Sequence, residues 1–327
     1  MYQSFYGLKE APFELTANPK YLFFTGQHRE ALSNLEYGLS SAKPITLLVG
    51  EAGTGKSTLL RAALESERCR RVSCVYLNNP TLTRDEFVET LAARFDLGGN
   101  AERSKATLLG GLEAIVRDRQ ARGEITALVV DEAQALSNEL LEEVRLLANM
   151  ETKIGKLLPV VLAGQPELAV RLNEPGLRQL KQRIALRCEL KPLDLPDTAS
   201  YIASRIRTAG GDPGMIFTRE AVTLIHEYSH GVPRTISVMC DNALMSGFAL
   251  DQRRIDGHIV REVCRDFDLR PTERKPQPPS APLVLVEPAA APAPANLEST
   301  APAADGTTGQ KKQATGTPRR FSLLGLR

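Results

Sequence analysis

Apolar and polar positions along this chain alternate between two periods. Ile45–Val49, Val72–Leu77, Ala127–Asp131, Leu157–Ala163 and Ala185–Leu190 are short, apolar and rich in β-branched residues, as buried strands are. Between them the apolar spacing becomes helical. His28–Leu39 carries Ala31, Leu32, Leu35 and Leu39 on one face. Thr58–Leu64, Asp85–Phe95, Leu108–Gln120 and Glu139–Met150 read as further helices, the last opened by Ser137 or Asn138 as cap. Strands alternating with helices predict an α/β fold, a parallel sheet flanked by helices on both faces. From Pro192 the strands stop. Ala199–Thr208, Arg219–His230, Arg234–Ala249 and Ile259–Phe267 predict a small all-α domain.

Both ends of the chain depart from this pattern. Residues 1–27 are aromatic and punctuated by proline, with Phe5, Tyr6, Phe13, Tyr21, Phe23 and Phe24. Two placements are open to them, beside a ligand or packed on the sheet. From Pro271 onward lie ten of the 21 prolines, in stretches such as EPAAAPAPA, with no apolar periodicity to build a core. This tail is expected to be disordered. It ends in a short basic and apolar segment, Arg319–Arg327, which reads either as a plain terminus or as a docking motif on a tether. The expected organisation is an N-terminal aromatic segment and helix (1–43), an α/β core (44–191), a helical lid (192–270) and the tail (271–327).

Composition narrows the class. With 327 residues and 42% hydrophobic content the chain is long enough for about two domains with a full core. The formal net charge of +2 argues against a strongly basic nucleic-acid binder. Five cysteines are scattered without a C-x-x-C pair and read as reduced thiols. Lys9 and Glu10 stand where a signal peptide needs an apolar run, and no apolar run reaches about 18 residues. The expectation is a cytoplasmic protein.

The candidate chemistry lies at the ends of two predicted strands. Gly50–Ser57 reads GEAGTGKS, the phosphate-loop pattern G-x-x-x-x-G-K-[ST]. Such a loop turns successive backbone N–H groups toward phosphate oxygens, and the helix that follows presents the positive end of its dipole. Gly50, Glu51, Ala52, Gly53, Thr54, Gly55, Lys56, Ser57 and Thr58 are thus the candidate nucleotide contacts. Lys56 reaches the β- and γ-phosphates, and Ser57 coordinates Mg²⁺. The second strand ends in DEAQ, Asp131–Gln134. Ligands of open parallel sheets lie at the carboxyl ends of strands. Asp131 is therefore placed to hold Mg²⁺ through water, and Glu132 to orient and deprotonate an attacking water. The predicted activity is Mg²⁺-dependent ATP hydrolysis, with ATP and Mg²⁺ as the bound species.

Together with the opening FYGLKEAPFELTANPKYLFFTGQHREAL, with LPVVLAGQPEL (Leu158–Leu168) and with GVPR (Gly231–Arg234), these motifs resemble the AAA+ ATPases of the general secretion pathway protein A (ExeA) group. Relatives of that group include transposition ATPases of the TniB and MuB type. The resemblance covers about residues 1–270. It departs at Thr16-Ala-Asn-Pro19, where the group has Thr-Pro-Asp-Pro. It implies roles for three further residues. Gln165 resembles sensor 1, near the γ-phosphate and water. Arg234 resembles sensor 2, reaching from the lid to the nucleotide of its own chain. Arg183 stands where the group carries an arginine finger acting on a neighbouring subunit, with Arg178 as the alternative. The resemblance also implies a homo-oligomeric ring, with six subunits the family's usual number.

Two function classes follow. One is an oligomeric assembly or remodelling factor for a secretion or cell-envelope system, cytoplasmic or held peripherally at the inner membrane by a partner. The other is a DNA-binding ATPase that regulates transposition; a nucleotide-state switch with slow turnover is a third reading. A competing motif, His226–His230, matches the zinc-protease string H-E-x-x-H. It runs directly into Gly231-Val-Pro233, where the helix must end, and the one tempting downstream carboxylate is Glu262.

Overall fold

The structure is a computed structural model that describes residues 1–15, 19–21, 23–78, 81–97, 104–151 and 156–270. The Thr16-Ala-Asn segment and the tail 271–327 lie outside the described residues. At the centre is a five-stranded sheet in which every pairing is parallel, in the order β2-β3-β4-β1-β5. The strands are β1 (Ile45–Gly50), β2 (Val72–Leu77), β3 (Ile125–Val130), β4 (Val160–Gly164) and β5 (Ile184–Leu190). Parallel neighbours need crossovers, and helices supply them: α1 (Gly26–Ser40) enters β1, α2 (Lys56–Glu65) leaves it, and α3 (Arg84–Arg94) and α4 (Lys105–Ala121) join β2 to β3. After β3 come α5 (Asn138–Leu147) and then, beyond β4, the short α6 (Pro166–Arg171) and α7 (Arg178–Gln182).

The period-two alternation of the strands divides the core in two. Leu48, Ala127, Val129, Val161 and Ala163 pack with Leu35, Leu39, Leu59 and Leu60 of α1 and α2. Leu47, Val49, Leu77, Leu128, Val130 and Leu162 face the other way, toward Phe87, Leu91, Leu112, Leu141 and Val144 of α3, α4 and α5. β1 and β3 are therefore covered on both faces, as their unbroken apolar runs require.

Some boundaries differ from the sequence pattern for local reasons. Ser137 is the cap of α5, accepting from Leu140 N at 3.2 Å, and the helix ends at Leu147 rather than Met150. β4 begins at Val160 instead of Leu157. Pro159 has no N–H for the ladder, although its carbonyl still accepts from Leu128 N at 3.0 Å. The short helices α6 and α7 carry too few turns to show a helical period.

Among the described residues beyond β5 the secondary structure is helical: α8 (Leu195–Thr208), α9 (Pro213–Ile216), α10 (Arg219–Ser229), α11 (Pro233–Ala249) and α12 (Gly257–Asp266). Their shared core includes Tyr201, Ile202, Ile225, Ile236, Leu244 and Ile259. Tyr2, Tyr6, Leu8 and Phe13 belong to the same cluster. Phe24 packs against the cluster between the sheet and α1 and α2, whereas Tyr2, Tyr6 and Phe13 pack on the lid helices instead of the sheet. Hydrogen bonds fix them there. Lys9 N donates to Ala209 O at 2.8 Å, Tyr6 Oη to Gln252 O at 3.0 Å, and Tyr2 Oη to Asp241.

Candidate nucleotide-binding site

The carboxyl ends of β1 and β3 meet the amino end of α2, and the sequence-predicted loop lies where they meet. Gly53 (φ +83°) and Gly55 (φ +100°) take left-handed backbone conformations that a side chain would strain. Gly55 is the residue before α2, so the loop turns directly into the helix. Thr54 is buried and ties the loop to itself, its Oγ1 donating to Glu51 O at 2.8 Å. Lys56 is only 4% exposed, and its Nζ donates to Gly50 O at 2.8 Å and Glu51 O at 3.0 Å. Burial lowers the pKa of this ammonium, while Glu132, Asp131 and Glu51 nearby act in the opposite direction.

Ser57 and Asp131 are in direct contact. Ser57 Oγ donates to Asp131 Oδ2 at 2.6 Å across 74 positions of sequence. Asp131 is 4% exposed and accepts two further hydrogen bonds, from Tyr76 Oη to Oδ2 at 2.8 Å and from Glu132 N to Oδ1 at 3.0 Å. Glu132 itself sits at φ +54°, ψ +37°, a costly conformation for a side-chain-bearing residue and one that concentrates at functional sites. Its Oε2 accepts from Gln134 Nε2 at 2.6 Å and, at the long limit of 3.5 Å, from Gln165 Nε2. Gln165 precedes α6, and its N–H donates to Gln134 Oε1 at 3.0 Å.

Arg234 approaches from the lid. Its backbone N–H donates to Gly53 O at 3.2 Å in the first turn of α11, where Pro233 occupies the first helical position. The absence of a side chain at Gly53 permits this approach, since a Cβ there would lie 2.7 Å from Arg234 Cβ. A cavity of about 420 Å³ opens between loop and lid. Lys56, Ser57, Glu132 and Arg234 line it, together with Tyr21, Phe23 and Phe24 from the N-terminal segment. Arg178 and Arg183 lie elsewhere, exposed at the two ends of α7 and absent from that lining.

Three residues at the site escape a motif reading: His28 and Arg205 line the cavity, and Tyr76 lies beside Asp131. His28, in the first turn of α1, is buried, with Nε2 3.4 Å from Thr54 O and Nδ1 2.8 Å from Thr25 Oγ1; burial lowers its pKa. Arg205 is 8% exposed, donates to Tyr201 Oη at 2.6 Å and Ser237 Oγ at 3.0 Å, and lies over the rings of Tyr21 and Tyr201. It falls four residues after Tyr201 on the apolar face of α8, a position whose partner the sequence alone does not decide. Tyr76 closes an otherwise ordinary strand.

The residues fit a nucleotide with magnesium. Ser57 and Asp131 offer hard oxygen atoms, and magnesium needs few protein ligands because it keeps water and phosphate oxygens. The H-E-x-x-H string has no comparable arrangement. His226 Nδ1 lies 3.0 Å from Thr198 Oγ1, and His230 leaves the helix at φ +53°. Among the described residues no cluster of three or more His, Cys, Asp or Glu side chains could hold a metal.

Comparison with known proteins agrees with this architecture. A family model described as an AAA domain matches residues 39–172. By structure the chain is similar to Cdc6p of Pyrobaculum aerophilum (TM-score 0.60, 16% identity, 78% of this chain and 70% of that one) and to the ORC2 protein of Aeropyrum pernix (TM-score 0.58, 16% identity, 79% and 72%). At that identity the likeness carries the fold alone. By sequence it is 40% identical over 255 residues, 78% of this chain, to general secretion pathway protein A of Aeromonas hydrophila. Residues 39–172 thus match an AAA domain, and over most of its own length the chain is similar to general secretion pathway protein A. It spans 46% of that relative's length. Among the described residues no helix is long and apolar enough to cross a membrane.

Proposed function

We propose that the chain binds ATP with magnesium between the phosphate loop and the lid and hydrolyses it. The observation that carries this reading is the 2.6 Å contact between Ser57 and Asp131, which joins two separate sequence motifs at one point. The backbone N–H groups of Gly53–Ser57 and the Lys56 ammonium would hold the β- and γ-phosphates. Ser57, and Asp131 through water, would hold magnesium, which would supply charge neutralisation at those phosphates. Glu132 takes a proton from water as the water oxygen bonds to the γ-phosphorus and the bond to the β–γ bridging oxygen breaks. Gln165 orients that water, and Arg234 senses the nucleotide from the lid.

In this reading the protein works as a homo-oligomeric ring, six subunits being the family's usual number, with Arg183 of one subunit completing its neighbour's site. Its exposure at the end of α7 leaves it accessible to a neighbour. The cellular task is assembly or remodelling of a secretion or cell-envelope structure, in the cytoplasm or at the inner membrane through a partner. The relative that supports this is itself called a secretion pathway protein. The near-neutral charge gives the DNA-regulating alternative no comparable support. The test is steady-state ATP turnover by the full chain across protein concentrations. Specific activity should rise with concentration, Lys56→Ala should abolish it, and Arg183→Ala mixed with Glu132→Gln should regain part of it. Turnover by Lys56→Ala equal to that of the unaltered chain would overturn the site. Concentration-independent turnover by a monomer would overturn the shared finger.

A further inference from the structure

We infer that Tyr76 is a positioning residue of the cation site: it fixes the Asp131 carboxylate so that magnesium, when it accompanies nucleotide, meets that carboxylate already in place. The inference rests on the nucleotide reading above, to which it adds a residue from outside both motifs.

The placement follows from strand geometry. Side chains of β2 alternate between the two faces of the sheet. Val75 and Leu77 join the cluster facing α3 and α4, whereas Val72, Cys74 and Tyr76 pack against the cluster under α1 and α2. Tyr76 is the last residue of β2 on the α2 side, and Ser57 lies in the first turn of α2. The ladder aligns Tyr76 with Val129 and Leu77 with Val130, and Asp131 N continues it by donating to Leu77 O at 2.9 Å. The phenol is thereby set beside the carboxylate that ends the neighbouring strand.

The hydrogen bonds give this placement a consequence. An ionised carboxylate has about four acceptor positions. Asp131 accepts from Ser57 Oγ and Tyr76 Oη on Oδ2 and from Glu132 N on Oδ1. A serine hydroxyl that coordinates a cation does so through its oxygen and must share its contacts with that cation. The Glu132 N–H is fixed by the backbone next in sequence. Tyr76 is therefore the side chain whose hold on Asp131 persists independently of the loop. A tyrosine phenol carries its proton at neutral pH and so can donate to the carboxylate. A packed ring also holds its hydroxyl at a smaller conformational cost than a flexible side chain would.

The test is calorimetric binding of ADP to the full chain, with magnesium chloride and with EDTA, for the unaltered protein, Tyr76→Phe, Asp131→Asn and the double variant. Phenylalanine keeps the ring and its packing, so a residue that merely fills space would be unaffected. The expected result is that Tyr76→Phe binds ADP normally in EDTA but loses roughly tenfold of the affinity gained with magnesium, the scale of one hydrogen bond to a charged group. In the Asp131→Asn background it should cause no further loss. An unchanged magnesium gain in Tyr76→Phe overturns the inference, as do equal losses in magnesium and in EDTA. If the unaltered chain itself gains no affinity from magnesium, the underlying nucleotide reading fails instead, which separates the two claims.

Discussion

The sheet edge that carries Lys56, Ser57 and Glu132 and the lid that carries Arg205 and Arg234 wall the same cavity, but they are built on different principles. On the sheet side each functional residue ends or directly follows a fully buried strand or starts the helix after one, so backbone hydrogen bonds set its position. On the lid side position comes from side-chain packing among segments far apart in sequence. Phe13, Tyr201, Ile236 and Ile259 share one cluster, so the first residues of the chain complete a domain made from the last helices. The sheet side is consequently dictated locally, and the lid side depends on long-range closure. The two meet at Gly53 and Arg234, through one backbone hydrogen bond of 3.2 Å.

If this contrast is right, the lid should be damaged most by changes where its backbone passes closest to itself. Gly231 has φ +71°, and a Cβ there would lie 2.0 Å from Leu193 O, a backbone atom with little freedom to move. Gly231→Ala should cost roughly 3 kcal/mol or more, measured by denaturant unfolding. A loss within experimental scatter would mean that the lid turn is pliable and that packing does not define its position. Phe13→Ala tests the long-range part. Phe13 is 1% exposed in the lid cluster, and its truncation should cost about 3–5 kcal/mol. The accompanying loss of nucleotide affinity should be the larger relative effect, because Tyr21, Phe23 and Phe24, from the same N-terminal segment, line the cavity. Nearly unchanged stability would place the segment outside the cooperative lid.

The smallest expected effect concerns pH. His28 supports the loop from below, and its burial places its folded pKa beneath the ordinary value of 6.5. The unfolded chain therefore binds the proton more readily, and unfolding is favoured as pH falls. The contribution of His28 is complete above about pH 6.5 and is lost as the pH drops from there through the folded value. Melting temperature followed from pH 8 to pH 5 should fall less in His28→Gln than in the unaltered chain. Parallel curves would show that this ring does not titrate in the window. His226 shifts in the same direction through burial and supplies the residual slope.

The same contrast explains what could be read from sequence. β2 runs from Val72 to Leu77 as its composition dictates, because a short apolar run bounded by turns has one reading once a parallel sheet is established. The loop and the Asp131–Glu132 pair were legible because their chemistry is contiguous. Tyr76 and Arg205 were not, although both lie in correctly read elements. An aromatic at a strand end and an arginine on an apolar helix face each have several fates, decided only by which element packs opposite. The placement of Tyr2, Tyr6 and Phe13 on the lid was illegible for the same reason, since more than 200 residues separate Tyr2 from its partner Asp241. Glu132 presents the reverse case: its role was readable, but its left-handed backbone was not, because that conformation is imposed by the turn from β3 toward α5.

The central claim is that the sheet edge holds the chemistry and that Glu132 performs it on a nucleotide bound by other residues. The most direct test measures ATP binding and ATP turnover side by side in Glu132→Gln, which keeps the shape of the side chain and removes its basicity. Binding should stay within about threefold of the unaltered chain while turnover falls by about a hundredfold or more, the scale of a general base. Turnover by Glu132→Gln at the rate of the unaltered chain would contradict the account.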